Sequence, residues 1–211
     1  MRLTLFISGL IMMAAACDGG SYDYAGHNTH DYFALDGERS WKYRQEDLDV
    51  EWRMEASKSG TVSKGNTNVV TIDYSVLDPA ELLYSIDWSS DSSGGILVHG
   101  YSVEDGETVA FDEPVALADS PMKPGEFVDT TTNGMTYTSE LVGVETCAND
   151  WVTEPWDCLH FTISDGVDDA TSAPFVGDWW LAADWGTSLF QPASYDTPWV
   201  LSEALWSPTE D

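Results

Sequence analysis

Basic residues are scarce in this 211-residue chain: 8 Lys and Arg stand against 37 Asp and Glu, for a formal net charge of −29. A field of that sign repels phosphate backbones and anionic lipid headgroups, which argues against a nucleic-acid partner. Histidine is limited to four residues and cysteine to three, and the neighbourhood of Cys147 and Cys158 offers too few of either at fitting spacing for a zinc cage. Beyond residue 16 there is no apolar run approaching the roughly 20 residues that a membrane-crossing helix takes. Also missing are a Gly-x-Ser-x-Gly elbow, a Gly-rich phosphate loop with its Lys, and a His-Glu-x-x-His pair. No cofactor and no metal site are expected on these grounds.

The N-terminus has a distinct order. Arg2 is followed by an apolar run from Leu3 to Met13, then Ala14-Ala15-Ala16 and Cys17. A basic start, a short apolar core and small residues make a secretory signal peptide, and the run is too short to span a bilayer. Ala14-x-Ala16 suits ordinary cleavage and release. Ala14-Ala15-Ala16-Cys17 also resembles the lipobox of bacterial lipoproteins, with Ala14 where Leu is usual. That resemblance implies lipidation of Cys17 and anchoring in the cell envelope. Asp18 fits inner-membrane retention in some bacteria and not in others, so either membrane is open. Several acyl chains hold a protein stably where one, at about 0.8 kcal/mol per buried methylene, does not. Cleavage before Cys17 makes the chain one unit more negative, because Arg2 is lost and no acid is.

Cysteine arithmetic supports this reading. Cys147 and Cys158 lie in one loop-like stretch, and thiols outside the cytoplasm tend to pair. Cys17 is then the odd cysteine, and lipidation accounts for it. A disulfide closing so short a loop contributes on the order of 3 kcal/mol. The expected organisation is a signal peptide over 1–16, a lipidated Cys17 with a flexible tether over 17–30, and one domain over 31–211. The tether reading rests on small polar residues without periodicity.

From Tyr32 onward the pattern has period two. Val50, Trp52, Met54 and Ala56 alternate with Glu51, Arg53, Glu55 and Ser57. Val70, Ile72, Tyr74 and Val76 behave alike, as do Leu159, Phe161 and Ile163. Leu82, Tyr84, Ile86 and Trp88 follow suit, although Leu83 breaks the polar face and 80–83 has a helical-turn alternative. Weaker candidate strands are 41–45, 96–103, 109–111, 135–145, 175–183 and 199–206. Lys58-Ser59-Gly60, Lys64-Gly65-Asn66, Asn133-Gly134 and Asp165-Gly166 supply turn chemistry between the runs. The expectation is an all-β antiparallel meander that forms a curved sheet, closing as a barrel or folding as a sandwich.

Asp31-Tyr32-Phe33-Ala34-Leu35-Asp36-Gly37-Glu38-Arg39-Ser40-Trp41-Lys42-Tyr43 resembles the "Y-F-P-L-x-x-G-x-x-W-x-Y" opening of many uncharacterised bacterial lipoproteins, with Ala34 in place of Pro. Pro121 to Glu126 is similar to their "P-x-x-x-G" approach to a central hairpin, and Asp178 to Phe190 to their "W-x-A-x-x-x-G" closing strand and turn. The resemblance implies an exported antiparallel β-domain and no particular reaction.

The acidic residues are spread along the chain, which fits a solvated surface better than a calcium loop. Asp165-Gly166-Val167-Asp168-Asp169 lacks EF-hand spacing. Such abundance also makes some carboxylate pair inevitable, which keeps a glycoside-type hydrolase open as an alternative. His27, His30 and Asp31 sit in a segment that does not preorganise ligands. The ten tryptophans are more suggestive. Trp41, Trp52 and Trp88 belong to apolar strand faces and read as core. Trp151, Trp156, Trp179, Trp180 and Trp185 crowd the last third beside Asp and Pro, and are the candidate ligand contacts. Adjacent Trp179 and Trp180 point to opposite faces of a strand. Exposed indoles stack on sugar rings or anchor protein partners. The expected function is a non-catalytic binding or structural domain on an envelope lipoprotein, with a glycan or an envelope protein as partner.

Overall fold

A computed structural model of the chain describes residues 26–33, 35–47, 50–64, 67–91, 95–104, 106, 108–147, 156–167 and 171–207. After a short 3-10 turn at Thr29–Tyr32 come twelve strands: β1 (Glu38–Asp47), β2 (Val50–Lys64), β3 (Thr67–Leu77), β4 (Ala80–Asp91), β5 (Gly95–Val103), β6 (Thr108–Ala118), β7 (Phe127–Thr132), β8 (Met135–Cys147), β9 (Trp156–Ser164), β10 (Gly177–Ala182), β11 (Gly186–Pro192) and β12 (Trp199–Ser207). They form one antiparallel sheet in the order β6-β5-β4-β3-β2-β1-β12-β11-β10-β9-β8-β7. The order is the chain order bent into a ring, with β12 returning to β1. The single sheet is a nearly closed barrel, which settles the choice between barrel and sandwich.

The two edge strands, β6 and β7, meet without a backbone ladder. Side chains close the gap instead. The Ala116 N–H donates to Thr130 Oγ1 at 3.1 Å, and the Glu113 N–H to Thr132 Oγ1 at 3.2 Å. Asn133 Nδ2 donates to the Ala110 carbonyl at 2.9 Å, and Ser139 Oγ to the Leu117 carbonyl at 2.5 Å. Pro114 has no N–H to satisfy. These contacts cap an edge that would otherwise invite a foreign strand.

Local chemistry explains most of the strands. Val70, Ile72 and Tyr74 point inward from β3, as do Leu159, Phe161 and Ile163 from β9. The β7–β8 turn has Asn133 at φ +51° and Gly134 at φ +80°, the paired positive values that a tight hairpin needs. Two sequence expectations change and one alternative is resolved. Lys58-Ser59-Gly60 is no turn: β2 runs through it, and the register with β3 shifts between Lys58 and Gly60. Residues 80–83 are strand, as the alternation through Ile86 and Trp88 favours over a helical turn. A bulge sets Leu83 between the Tyr84–Tyr74 and Leu82–Ser75 pairs, so Leu82 leaves the buried face and is exposed.

The interior is filled with aromatic rings. Trp88, Trp179, Phe161, Phe175 and Phe190 have no exposed surface. Trp179 stacks on Phe190 at 5.1 Å and meets the edge of Trp88 at 5.6 Å. Phe175, from the β9–β10 connection, plugs one end beside Tyr101, Phe111 and Tyr137. Phe33 closes the other end against Trp88 at 4.9 Å.

Because the strands alternate in direction, that second end collects the N-terminal segment, the β6–β7 connection, the end of β8, the start of β9 and the β10–β11 turn. The N-terminal segment is docked there earlier than the expected boundary at residue 31. His27 and Met122 exchange backbone hydrogen bonds at 2.7 and 2.9 Å. Thr29 is buried, and its hydroxyl donates to the Asp119 carbonyl at 2.7 Å. Residues 27–30 therefore belong to the barrel rather than to a tether. Cys147 and Cys158 are bonded across β8 and β9, with Cα atoms 5.8 Å apart. Cys17 lies outside the described residues.

Candidate functional site

The β10–β11 turn lies at the end where the N-terminal segment docks. Its tip, Asp184, has φ +65°, a left-handed conformation that Asp tolerates better than most residues. Trp185 follows and is 46% exposed. This exposed indole sits on a firmly held backbone. The Trp185 N–H donates to the Ala182 carbonyl and the Asp184 N–H to the Asp31 carbonyl, each at 3.2 Å. Arg39 Nη1 donates to the Asp184 carbonyl at 3.0 Å, and Trp41 Nε1 to the Trp185 carbonyl at 2.8 Å. Arg39 is itself fixed by Asp36, through Nε to the carbonyl at 3.0 Å and Nη2 to Oδ1 at 2.7 Å. A planar guanidinium suits this fork of acceptors.

The Trp185 ring is oriented as well. It lies parallel to Trp156, with centroids 5.4 Å apart and 11° between planes. Trp156 is the first residue of β9, and its Nε1 reaches Ser188 Oγ at 3.4 Å. Beside this pair is a cleft of about 670 Å³ lined by Trp41, Trp185, Ala204 and Leu205, with Asp36, Arg39 and Asp184 as its polar groups. Its size falls in the usual range for small-molecule and ligand sites. A second cleft of about 320 Å³, lined by His30, Phe33, Leu35, Asn68, Val70 and Ser90, shares Asp36 with the first.

A separate polar cluster lies on the outer face of β8, β9 and β10. His160 Nδ1 is 2.9 Å from Glu145 Oε1, and its Nε2 is 3.1 Å from Asp178 Oδ1. The ring stacks on Trp180 at 4.1 Å and 13°. Trp180 Nε1 donates to Glu145 Oε2 at 2.8 Å, and Thr162 to Asp178 Oδ1 at 2.5 Å. Partial burial pulls the imidazole pKa down, but the hydrogen bonds to Asp178 and Glu145 outweigh it and leave it raised. Glu145 is lowered by hydrogen bonds from Trp180 and His160, and Asp178 chiefly by the one from His160. A charged imidazolium on an indole face adds a cation–π contribution.

The five candidate tryptophans thus separate. Trp156 and Trp185 come together, and Trp185 lines the cleft. Trp180 is half-buried and committed to His160 and Glu145. Trp179 is wholly inside the barrel, with Nε1 donating to the Phe175 carbonyl at 2.8 Å, so it presents nothing to an outside ligand. The two do face opposite sides, as alternation requires. Trp151 lies outside the described residues.

Two carboxylates, Asp36 and Asp184, do line the large cleft. Asp36 is bound to Arg39 and its side chain is 70% exposed, and Asp184 is exposed too. Neither sits in the apolar surroundings that make a carboxyl a general acid. His30 bonds to Asp31 at 2.9 Å and to Ser120 at 3.2 Å. Among the described residues no three His, Cys, Asp or Glu side chains converge as a metal set.

Sequence reasoning did not find Arg39, Asp36 or the second cleft. The signal for the clamp was faint: Asp36 directly ahead of the Gly37 that precedes a strand, and an Asp-Trp-Gly turn far along the chain. Compared with family models, with curated proteins and with solved structures, the chain matches none.

Proposed function

We propose that this chain is an exported cell-envelope lipoprotein, anchored through Cys17, whose barrel is a non-catalytic binding domain with its ligand surface at Trp185. The observation that carries the reading is the fixation of an exposed indole by four backbone hydrogen bonds and a parallel ring stack. Core packing does not require a tryptophan there. Holding it rigid lowers the ordering cost of binding, and a preorganised aromatic anchor is what a recognition surface needs. The filled interior supports a surface site over an internal one, and the exposed, Arg-bound carboxylate supports binding over hydrolysis.

The anchor and the site share one end of the barrel. Nine residue steps separate Cys17 from Gly26. At about 3.3–3.6 Å each they reach roughly 30 Å at most. The cleft then works close to the bilayer, on ligands near the membrane surface. Two measurements test the proposal. Cys17→Ser is expected to release the protein from the membrane fraction; persistent membrane association refutes the anchor. On combined glycan and peptide libraries the wild type is expected to bind, and Trp185→Ala to lose that binding with an unchanged melting temperature. No binder at all, or binding indifferent to Trp185→Ala, refutes the site.

A further inference from the structure

The two clefts that meet at Asp36 deepen that reading and rest on it: we infer that together they form an extended site for a linear, uncharged oligosaccharide. One cleft is built around the Trp185 face, the other around Leu35 and Asn68. Both are open, and the shared residue makes them neighbouring subsites along one end of the barrel. A flat indole accepts the apolar face of a sugar ring. Around it stand groups that bond to hydroxyls in both directions. Asp36 and Asp184 are carboxylate acceptors. Asn68 receives a hydrogen bond from Ser63 on its oxygen at 3.0 Å, which leaves its amide nitrogen as a donor at the second cleft.

Charge narrows the ligand further. Asp31, Asp36 and Asp184 frame this end of a chain whose net charge is −29, so a polyanionic chain is repelled. Sheet topology argues against a peptide held by strand addition, because that mode needs an open edge. The only two edge strands of the described sheet, β6 and β7, face each other, and the Glu113 and Ala116 N–H groups of β6 donate to Thr132 and Thr130 of β7.

The experiment is calorimetric titration of the full chain in detergent with neutral gluco-, manno- and N-acetylglucosamine oligomers of increasing length, and with uronate oligomers as charge controls. A proline-rich peptide set is titrated in parallel. Affinity for one neutral series is expected to rise by about tenfold, 1.4 kcal/mol, once the oligomer is long enough to enter both clefts. Trp185→Ala should weaken every length by at least that factor. Asn68→Ala should remove only the gain with length and leave the shortest binding oligomer unaffected. The uronate series should bind at least about tenfold more weakly at low salt. If binding needs Trp185 but does not depend on length, or prefers uronates, the extended neutral site is wrong while the Trp185 surface stands. If only peptides bind, and do so through Trp185, the same holds. If nothing binds through Trp185, both fall.

Discussion

The β6–β7 seam offers the sharpest test of how this barrel is held shut. In Thr130→Val the side-chain shape is kept and one acceptor is lost. The group left behind is the Ala116 N–H, whose residue is 7% exposed. Stranding a buried donor costs about 1–3 kcal/mol, the desolvation penalty of the group rather than the smaller net value of one hydrogen bond. Thr132→Val strands the Glu113 N–H, but Glu113 is exposed and water can replace the hydroxyl. That change should cost less, about 0.5–1.5 kcal/mol. The assay is urea unfolding of the disulfide-intact protein. With a slope of about 1–3 kcal/mol per molar, Thr130→Val should lower the midpoint by roughly 1 M, and Thr130→Ser by clearly less. Hydrogen exchange at 113–118 should quicken in the valine variants before the rest of the barrel responds. A Thr130→Val protein as stable as the wild type, or more so, would show that the hydroxyl does not serve the seam.

The His160 cluster makes stability depend on pH from both sides. A raised imidazole contributes fully below its unfolded value, near 6.5, and loses that contribution as pH rises through the folded value. Lowered Glu145 and Asp178 contribute above their unfolded values, near 4, and lose it as pH falls. The stability gap between wild type and His160→Asn should therefore be widest between about pH 4.5 and 6.5 and narrow at pH 3 and pH 9. Urea midpoints at those three conditions test it; a gap that does not change with pH refutes it. Arg39→Lys keeps the charge but loses the fork that holds Asp36 and Asp184 together. Acrylamide quenching of Trp185, read as the difference between proteins with and without Trp185→Phe, should rise while global stability falls by about 1–2 kcal/mol; unchanged quenching would mean that Arg39 does not hold the turn.

These experiments bear on function through rigidity. An exposed tryptophan on a loose turn would lose much of its binding free energy to ordering. Here the turn is tied to the N-terminal segment, through Asp31 and Asp36, and that segment is continuous with the proposed anchor. The proposed recognition surface and residues 31–39 share one hydrogen-bonded structure at one end of the barrel.

Short-range features were readable from the residues alone. Period-two alternation places Val70, Ile72 and Tyr74 on one face because successive side chains in a strand point oppositely. Asn133-Gly134 announces its turn because few other pairs accept two positive φ values. The Cys147–Cys158 pairing followed from counting thiols. What the residues did not announce depends on partners far away in sequence. Gly60 looks like a turn until β3 is present to pair through it. Leu82 looks buried until the bulge at Leu83 flips the phase. Trp179 and Trp185 look alike as tryptophans beside Asp. One is buried because Phe190 and Trp88 are waiting inside the barrel, and the other is exposed because a turn lifts it to the rim. The Arg39–Asp184 clamp joins residues 145 positions apart. Closure by threonine hydroxyls at the seam exists only once twelve strands have curved far enough to bring β6 back to β7. Alternation is a property of neighbours along the chain, so sequence determined the strands and, away from bulges, their faces. Exposure, clamping and closure are properties of neighbours in space, and only the tertiary structure decided them.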